Sequence, residues 1–571
     1  MTLNYQRFGS YHNKMDSDNY SKEKEGMVLN IAIMVVSMIA IAMVTVSVVA
    51  HIDGSKQDAG KNVKTLLSVC TKTEEPEICF RVLKHVGETA TVLNYVKAAI
   101  NATLTELLFV IRPKPRLERS LTLLQQESYK DCLELLSLGK EELGSLYLMA
   151  NFYVDLSELN LDDLLNSLSA VISYQHACTD ELIRINSYGV LGYSLQVPIL
   201  LTRIALAIVD NFSERPNSRE PRRLEEFARW FSERERKMIE SNQGDNGGEQ
   251  WPINVVVAQD GSGHFSTIAD SLNACPKNKT IACVIYVKRG KYEERVVIPK
   301  GVKVFMYGDG PAHTIVSGTN TRDPRIVTTS FRAATFVVMG KGFICKDMGF
   351  TAPADITGAP ALLVLSDHAA FFNCKIDGNE GTLYAVAQRQ FYRDCEILGS
   401  VDIIKGDSAT VIQNSQIILK PRNSSDLVLR RNVMSAQSRL DKYQTTGLVI
   451  QNCTITAQKE SMNTLNATTY LGSPYSEYSR TIIMESFLGD VIHPKGWCKW
   501  SDNYGIETAT FWEFDNRGPG ARTDKRVKWN GYSTIFERNQ MVSYTVGRFL
   551  QADQWLLNRG IPYESGFVVL K

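Results

Sequence analysis

The stretch Asp377–Ala409 combines residue types that can do chemistry. It reads DGNEGTLYAVAQRQFYRDCEILGSVDIIKGDSA and holds Asp402 between apolar residues, with Gly406 four positions later. A carboxyl group in such surroundings can act as a nucleophile or exchange a proton, because burial and neighbouring groups tune its pKa. It can also be a capped loop residue with no chemical role. The choice between these roles depends on the elements that position Asp402.

Several other patterns exclude common classes of protein. The Gly261–Gly263 segment, GSG, lacks the third glycine of a dinucleotide-binding fingerprint, and the Gly406–Thr410 segment, GDSAT, lacks the final glycine of a nucleophile elbow. No CxxC pair or Cys/His cluster has metal-ligand spacing, so no metal is expected. With 63 Lys+Arg against 62 Asp+Glu, the chain has no overall charge that would indicate nucleic-acid binding.

The cysteines and glycosylation sequons indicate an oxidising compartment. Eleven Cys residues without a metal-binding pattern are better explained by disulfides, and the odd number leaves at least one thiol unpaired. Asn-X-Ser/Thr acceptor sequons are typical of the secretory pathway, although a single one can arise by chance. Six occur, at Asn101, Asn211, Asn278, Asn423, Asn452 and Asn466.

The N-terminus predicts a membrane anchor. Residues 1–26 are polar and carry lysines just before residues 27–50, an apolar run without a charged residue. That run is long enough to cross a bilayer of roughly 30 Å, whereas the core of a signal peptide has about 7–15 residues. We therefore expect a signal anchor at 27–50 with a cytosolic tail at 1–26. A long signal sequence that is cleaved remains the alternative.

Residues 61–211 show the apolar periodicity of helices and little proline. Cys70 and Cys79 enclose a short segment, while Cys132 in YKDCLELL and Cys178 in QHACTDEL lie on later helices. These features resemble the plant invertase/pectin methylesterase inhibitor domain. The resemblance implies a four-helix bundle in which the first Cys pairs with the second and the third with the fourth. An unrelated disulfide-bonded bundle is the alternative.

Residues 212–250 form a charged, proline-containing segment typical of an exposed linker. In two-domain proteins of the family that this chain resembles, basic-basic-Leu-Leu sites in this segment are cut during secretion. The candidate sites in this chain are Arg222-Arg223-Leu224 and Arg236-Lys237-Met238. Both lack the Leu pair, so an uncut linker is an equal alternative.

From Asn254 onward, short β runs are separated by Gly, Asp and Asn. Similar steps recur as FFNCKI, FYRDCEI, VIQNSQI and VIQNCTI; the first three lie about 20 residues apart, and the last gap is nearly twice as long. Steps of this size suit the coils of a parallel β-helix. Cys374 and Cys395 would then lie on successive coils, where they could pair.

Residues 251–571 resemble plant pectin methylesterases. The resemblance rests on NVVVAQDGSGHFSTI, VKRGKYEERVVIP, AQRQFYRDCEILGSVDIIKGDSA, SEYSRTIIMES and RGPGARTDKRVKWNGY, which occur in the family's order. It implies an all-β right-handed parallel β-helix with pectin (homogalacturonan) in a lateral groove and no metal or cofactor. It also implies two Asp residues as nucleophile and proton donor, two Gln residues as oxyanion donors, and an Arg that orients the nucleophile.

Only one of these five positions is retained. Asp402 in GSVDIIKG falls on the nucleophile, but Gly381 in EGTLY falls on the proton donor and Glu380 on one Gln. Gly358 in GAPAL replaces the other Gln, and Ser473 in LGSPY replaces the Arg. Losing one oxyanion donor costs about 10²–10³ in rate and losing a general acid about 10²–10⁴, so we expect an inactive or severely impaired esterase.

The pectin groove is partly preserved. Tyr384, Tyr475 and Trp497 fall where the family presents aromatic rings to sugars, so polysaccharide binding is expected to persist. Lys405, where the family has Phe, and Glu380 are the neighbours that would have to compensate for the missing groups. Rings buried between coils and a solvated Lys405 are the plain alternatives.

Three functional hypotheses follow. The preferred one is a secreted or membrane-anchored cell-wall protein that binds pectin without turning it over. The second is an active pectinesterase, a carboxylic-ester hydrolase, that uses Asp402. The third is an inhibitor whose helical domain binds an active pectinesterase or invertase.

Overall fold

The computed structural model describes an N-terminal helical domain and a C-terminal β domain. The described residues are 66–86, 90–153, 156–212, 253–276, 282–318, 328–353, 356–421, 432–459, 468–557 and 559–568, without the side chains of Ser157 and Val190. The expected tail at 1–26, the anchor at 27–50 and all but the first residue of the 212–250 linker lie outside them. The sequons at Asn278, Asn423 and Asn466 do too.

Four long helices make the N-terminal bundle, with two short helices in its connections. In chain order these helices are α1 Pro76–Leu83, α2 Val92–Ile111, α3 Pro115–Ser120, α4 Leu123–Ala150, α5 Leu161–Arg184 and α6 Tyr188–Phe212. Polar caps fix the start of three of them. Thr91 accepts a hydrogen bond from the Asn94 amide, Thr122 and Gln125 form a capping box, and Asn160 accepts from the Asp163 amide.

Two disulfides join elements of the bundle. Cys70 pairs with Cys79, and Cys132 on α4 pairs with Cys178 on α5, as the resemblance implied. Within the described residues, Leu191–Phe212 is long and apolar enough to cross a membrane, and 61% of its apolar window is buried inside the protein. It belongs to α6, which packs against α2 and α5 as a core helix of the bundle.

The C-terminal domain is a parallel β-helix, as predicted. Every described strand pair is parallel, and the described strands form three long sheets of eleven, eight and six strands. Sheet A contains β1 Val255–Val257, β2 Cys283–Val287, β5 Val304–Tyr307, β8 Ile344–Lys346, β11 Ala369–Phe372, β14 Arg389–Arg393, β17 Ala409–Gln413, β21 Gly447–Gln451, β24 Arg480–Met484, β26 Thr510–Phe514 and β27 Tyr532–Ser533.

The other two long sheets complete each coil. Sheet B contains β3 Gly290–Glu293, β6 Thr314–Ser317, β9 Gly349–Thr351, β12 Lys375–Asp377, β15 Glu396–Gly399, β18 Gln416–Leu419, β22 Thr454–Ala457 and β25 Phe487–Leu488. Sheet C contains β4 Val296–Ile298, β7 Phe336–Val338, β10 Leu362–Val364, β13 Leu383–Ala385, β16 Ile404–Gly406 and β20 Ser435–Gln437. A small two-stranded sheet pairs β19 Asn432–Val433 with β23 Thr469–Tyr470.

Four short helices flank the coils: α7 Ile268–Ser271, α8 Ser330–Ala333, α9 Arg538–Met541 and α10 Val546–Phe549. The last two pack with Trp555 against the outer face of sheet A.

The recurrent sequence steps occupy adjacent strands of sheet A. Phe371 pairs with Tyr392, Phe391 with Val411, and Val411 with Val449. Each step contains a residue with positive φ at its middle: Asn373, Asp394, Asn414 and Asn452. Asn and Asp adopt this left-handed conformation more readily than other non-glycine residues, so they turn the chain from sheet A into sheet B.

The cysteines of the β-helix do not all behave as expected. Cys275 pairs with Cys283, a disulfide that the sequence did not indicate. Cys374 and Cys395 are free and buried, and so are Cys345 and Cys453. Cys374 Sγ lies 4.0 Å from Cys345 Sγ. Burial raises the pKa of the Cys374 and Cys395 thiols well above the usual value, so these residues behave as apolar core groups.

The helical bundle packs on the outer face of sheet C. The buried apolar residues of the bundle form one continuous cluster with residues of the β-helix. The β-helix members of that cluster are Phe331, Ala334, Val337, Leu363, Leu365, Val386 and Ala387, with half-buried Tyr384 against them. The two domains therefore share a core along the sheet that carries most of the predicted site.

Candidate functional site

The predicted site lies across consecutive coils at sheet C. Asp402 lies two residues before β16, and its backbone amide donates to the Val433 carbonyl at 2.7 Å. Its φ is +46°. This conformation is the same one that Asn373 and Asp394 adopt at the turns of sheet A, so the turn geometry accounts for it without a chemical role.

Lys405 occupies the space beside Gly381. The strand pairing sets Lys405 next to Tyr384, and its Nζ lies 4.7 Å from the centroid of the Tyr384 ring. A Cβ atom placed on Gly381 would lie 2.9 Å from Lys405 Cε and 3.0 Å from Nζ. A side chain at position 381 would therefore meet the lysine, which must move to admit it.

Three carboxyl groups lie close enough to Lys405 to influence its pKa. Burial lowers the pKa of its ammonium group, whereas the charges of Glu181, Glu380 and Asp402 oppose that shift. Glu181 belongs to the helical domain, while Glu380 forms a bridge with Val401 on the next coil. The structure thus brings Asp402, Glu380 and Gly381 together around the Lys405 ammonium group. The sequence had indicated Lys405 only as a neighbour that could compensate for the missing catalytic groups.

The remaining substituted positions lie on flanking coils. Gly358 precedes β10, has a φ of +73°, and would carry a Cβ atom with no other heavy atom within 4 Å. Ser473 is buried, its amide donates to the Ser435 carbonyl at 3.2 Å, and its Oγ has no hydrogen-bond partner among the described residues. Neither side chain carries the amide or guanidinium group that the family has at these positions.

The three predicted aromatic residues differ in exposure. Tyr384 and Tyr475 are half-buried, and the Tyr475 ring lies 4.6 Å from that of Trp500. Trp497 is fully buried, stacks on Phe511 at 4.4 Å, and its Nε1 donates to Glu513. The Trp497 ring therefore packs inside the last coils; contact between Trp497 and a sugar stays a prediction.

Helix α5 covers the site with polar side chains. Asn166 Nδ2 donates to Gln388 Oε1 at 2.6 Å, and Ser173 Oγ donates to Asp407 at 2.8 Å. The Tyr174 hydroxyl donates to the Leu365 carbonyl at 3.1 Å. This contact between α5 and the β-helix was not predicted from the sequence. Its signal is a row of polar residues, Asn166, Ser169 and Ser173, spaced along one helical face and nevertheless buried.

The C-terminal end of α5 reaches the Asp402 region. Burial raises the pKa of Asp180, and the charges of His176 and Lys405 together with a hydrogen bond from Tyr475 oppose that rise. His176 Nε2 lies 3.4 Å from Asp180. The helical domain thus adds carboxyl groups to the centre that Lys405 neutralises.

Ion pairs surround this polar contact. Between the helical domain and the β-helix, Arg389 pairs with Asp163 at 2.8 Å, Arg332 with Asp131 at 2.9 Å, Lys300 with Glu141 at 2.9 Å and Arg203 with Asp441 at 2.5 Å. Two of the interdomain carboxyl groups are strongly perturbed, since burial raises the pKa of Asp131 and of Asp407 to about 6.

Comparison with known proteins agrees with this architecture. The family model described as Pectinesterase matches residues 254–553. The chain belongs to the pectinesterase family. A second model, Plant invertase/pectin methylesterase inhibitor, matches residues 64–208, which are the helical domain.

Relatives and a solved structure extend the match. A pectinesterase/pectinesterase inhibitor of Prunus persica is 37% identical and covers 77% of this chain and 83% of its own length. Pectinesterase 2.1 of Solanum lycopersicum is 36% identical over 77% of this chain and 78% of its own. The carrot pectin methylesterase structure aligns with a TM-score of 0.53 and 35% identity, covering 56% of this chain and 100% of that one.

Proposed function

We propose that this pectinesterase-family chain binds pectin and that its ester-cleaving chemistry is lost or severely reduced. The proposal rests on one observation: Gly381 stands where a proton donor is expected, and the Lys405 side chain fills the adjacent space. A lysine ammonium flanked by carboxylates holds its proton more firmly than a carboxylic acid does. Departing methanol would therefore lack its usual acid, a loss of about 10²–10⁴ in rate.

The other substituted positions support the same proposal. Gly358 and Ser473 offer no side-chain donor to an oxyanion or a nucleophile, and Glu380 carries a charge that would repel an oxyanion. Asp402 alone remains of the five expected groups. A nucleophile without these partners loses most of the rate enhancement, because such groups act as a unit.

Contact with the helical domain is a second, independent support. Helix α5 lies over the face of sheet C that carries Tyr384 and Lys405, so a polysaccharide chain would have to displace it to reach Asp402. Inhibition of other esterases is not part of the proposal, because the helical domain already contacts this chain's own β-helix.

The proposal also covers the location and processing of the protein. We place it in the secretory pathway, held at the membrane by residues 27–50 or released to the cell wall, with residues 1–26 as a cytosolic tail. Residues 61–211 and 251–571 are the two domains, and residues 212–250 link them. Glycosylation at the sequons belongs to the same proposal, and Asn101 is exposed on α2.

The decisive test measures methanol released from methyl-esterified pectin. The full chain is compared with the same chain cut at a protease site inserted between residues 213 and 252, which frees the helical domain to leave. Asp402→Ala versions of both serve as controls. We expect no release above the controls. Release from the cut chain that Asp402→Ala abolishes would instead establish an active pectinesterase that uses Asp402.

A further inference from the structure

A cleft on the last coils of the β-helix combines aromatic walls with a cationic rim. It has a volume of about 530 Å³. Half-buried Tyr470 and Trp529 contribute aromatic surface, and buried Trp497 lies in its floor. The rim consists of four exposed lysines, Lys495, Lys499, Lys525 and Lys528. None of the five family catalytic positions lines this cleft.

The rim lysines can contact a negatively charged ligand. Within the described part of the chain, Lys495, Lys525 and Lys528 have no carboxylate partner, and Lys499 donates only to the Asn503 side-chain carbonyl at 2.6 Å. The nearest acid in sequence, Asp524, lies 3.5 Å from Arg522. The rim therefore carries net positive charge at neutral pH.

The floor of the cleft is electrically neutral and firmly built. Arg526 is buried and pairs with Glu513 through two hydrogen bonds of 2.8 and 2.9 Å. Trp497 donates to the same carboxylate. The Val527 amide donates to the Lys495 carbonyl at 3.2 Å, which joins the two coils that bear the lysines. A bound ligand would therefore contact a floor that is held by these hydrogen bonds and a rim of exposed lysine side chains.

The cleft stays open when the helical domain is docked. All of its lining residues belong to the β-helix beyond residue 469, whereas the helical domain contacts sheet C and residues such as Asp407 and Asp441. A ligand can therefore enter the cleft of the intact chain.

We infer that this cleft binds de-esterified homogalacturonan, a polysaccharide that carries one carboxylate on each sugar. The inference rests on the proposed function for its choice of pectin and adds the chemical form that is bound. Lysines on successive coils, which rise by about 4.8 Å, suit a ligand with regularly repeated negative charge. Aromatic faces supply apolar contact with sugar rings. A methyl ester removes the charge that the lysines would contact, so methyl-esterified pectin is expected to bind more weakly.

The test compares binding of the intact full chain to fully de-esterified and to fully methyl-esterified homogalacturonan by calorimetry. The double variant Lys525→Gln/Lys528→Gln removes two rim charges. Lys291→Gln/Lys375→Gln removes the same charge from exposed Lys291 and half-buried Lys375 of sheet B. Since an exposed ion pair contributes about 0.2–1 kcal/mol, loss of two rim charges is expected to lower the affinity for the de-esterified form roughly twofold to thirtyfold.

Three further outcomes bear on the inference. Affinity for the de-esterified form is expected to fall as salt rises, and less steeply in the rim variant. Equal affinity for the two polysaccharides, or equal losses in the rim and control variants, would overturn it. Absence of binding to either form would overturn both this inference and the pectin binding under the proposed function. Methanol release bears only on the proposed loss of chemistry.

Discussion

At the scale of single residues, Lys405 alters the electrostatic surroundings of Asp402. Asp402 keeps its position before β16, yet the group closest to the vacant side-chain space at Gly381 is an ammonium, not a carboxyl. Its charge is shared among Glu181, Glu380 and Asp402. We interpret Lys405 as a structural cation that holds these three carboxylates together.

This role predicts a loss of stability in Lys405→Met. Without the ammonium, three close carboxylates repel one another, so the free energy of unfolding is expected to fall by about 1–3 kcal/mol at pH 7. Urea unfolding at pH 7 measures it.

Lys375→Met, a change at a half-buried position on β12, provides the control and should have little effect. A Lys405→Met protein as stable as the control at pH 7 would show that the lysine does not hold the carboxylates together.

At the scale of elements, α5 is the part of the molecule that connects the two domains. Its buried polar residues bind the β-helix through side chains, not through apolar packing alone. Buried hydrogen bonds are individually modest, but an unsatisfied buried partner costs about 1–3 kcal/mol. The strength of docking therefore depends on a few polar atoms.

Ser173→Ala tests this dependence. The change removes the hydrogen bond to Asp407 and is expected to weaken docking by about 1–2 kcal/mol. The measurement is the amount of helical domain that separates from the β-helix after cleavage between residues 213 and 252. Ser137→Ala on α4 is the control, because the Ser137 hydroxyl donates only to the Leu133 carbonyl of its own helix. Equal separation in both variants would contradict the assigned role of Ser173.

The sequence predicted these elements better than it predicted their contacts. The repeated steps at Phe371, Phe391, Val411 and Val449 identified the coils, because parallel stacking puts like residues at like positions. The position of Lys405 against Gly381 was not predictable, since it depends on a side-chain conformation across two coils. The docking of α5 was missed because its polar row looks like a solvent-facing surface until a second domain covers it.

At the scale of the whole molecule, the two domains share buried carboxyl groups. Asp407 faces Ser173 and His176 of α5 and also Gln444 and Thr446 of its own domain. Asp131 faces Thr329 and Arg332 of the β-helix, with the charges of Glu134 and Glu181 nearby. Each has its pKa raised from 3.8 to about 6, mainly by burial.

The raised values predict docking that weakens as pH rises. An acid whose pKa is higher in the docked state binds more protons there, so the contribution of these two acids to docking is fully present below about pH 4 and is lost as pH rises through 6. Gel filtration of the cut chain should show more separated domains at pH 7.5 than at pH 4.5. Asp131→Asn/Asp407→Asn should reduce that difference, whereas an unchanged difference would assign the pH dependence to other groups.

The shared core has a consequence for solubility. Val337, Leu363, Leu365 and Val386 on the outer face of sheet C are buried only because the bundle lies on them. A β-helix separated from its bundle would present these residues as a contiguous apolar patch, the kind of surface that drives self-association. The helical domain therefore shields this apolar patch from solvent. After the linker is cut, the β-helix is expected to stay soluble for as long as the helical domain remains docked on it.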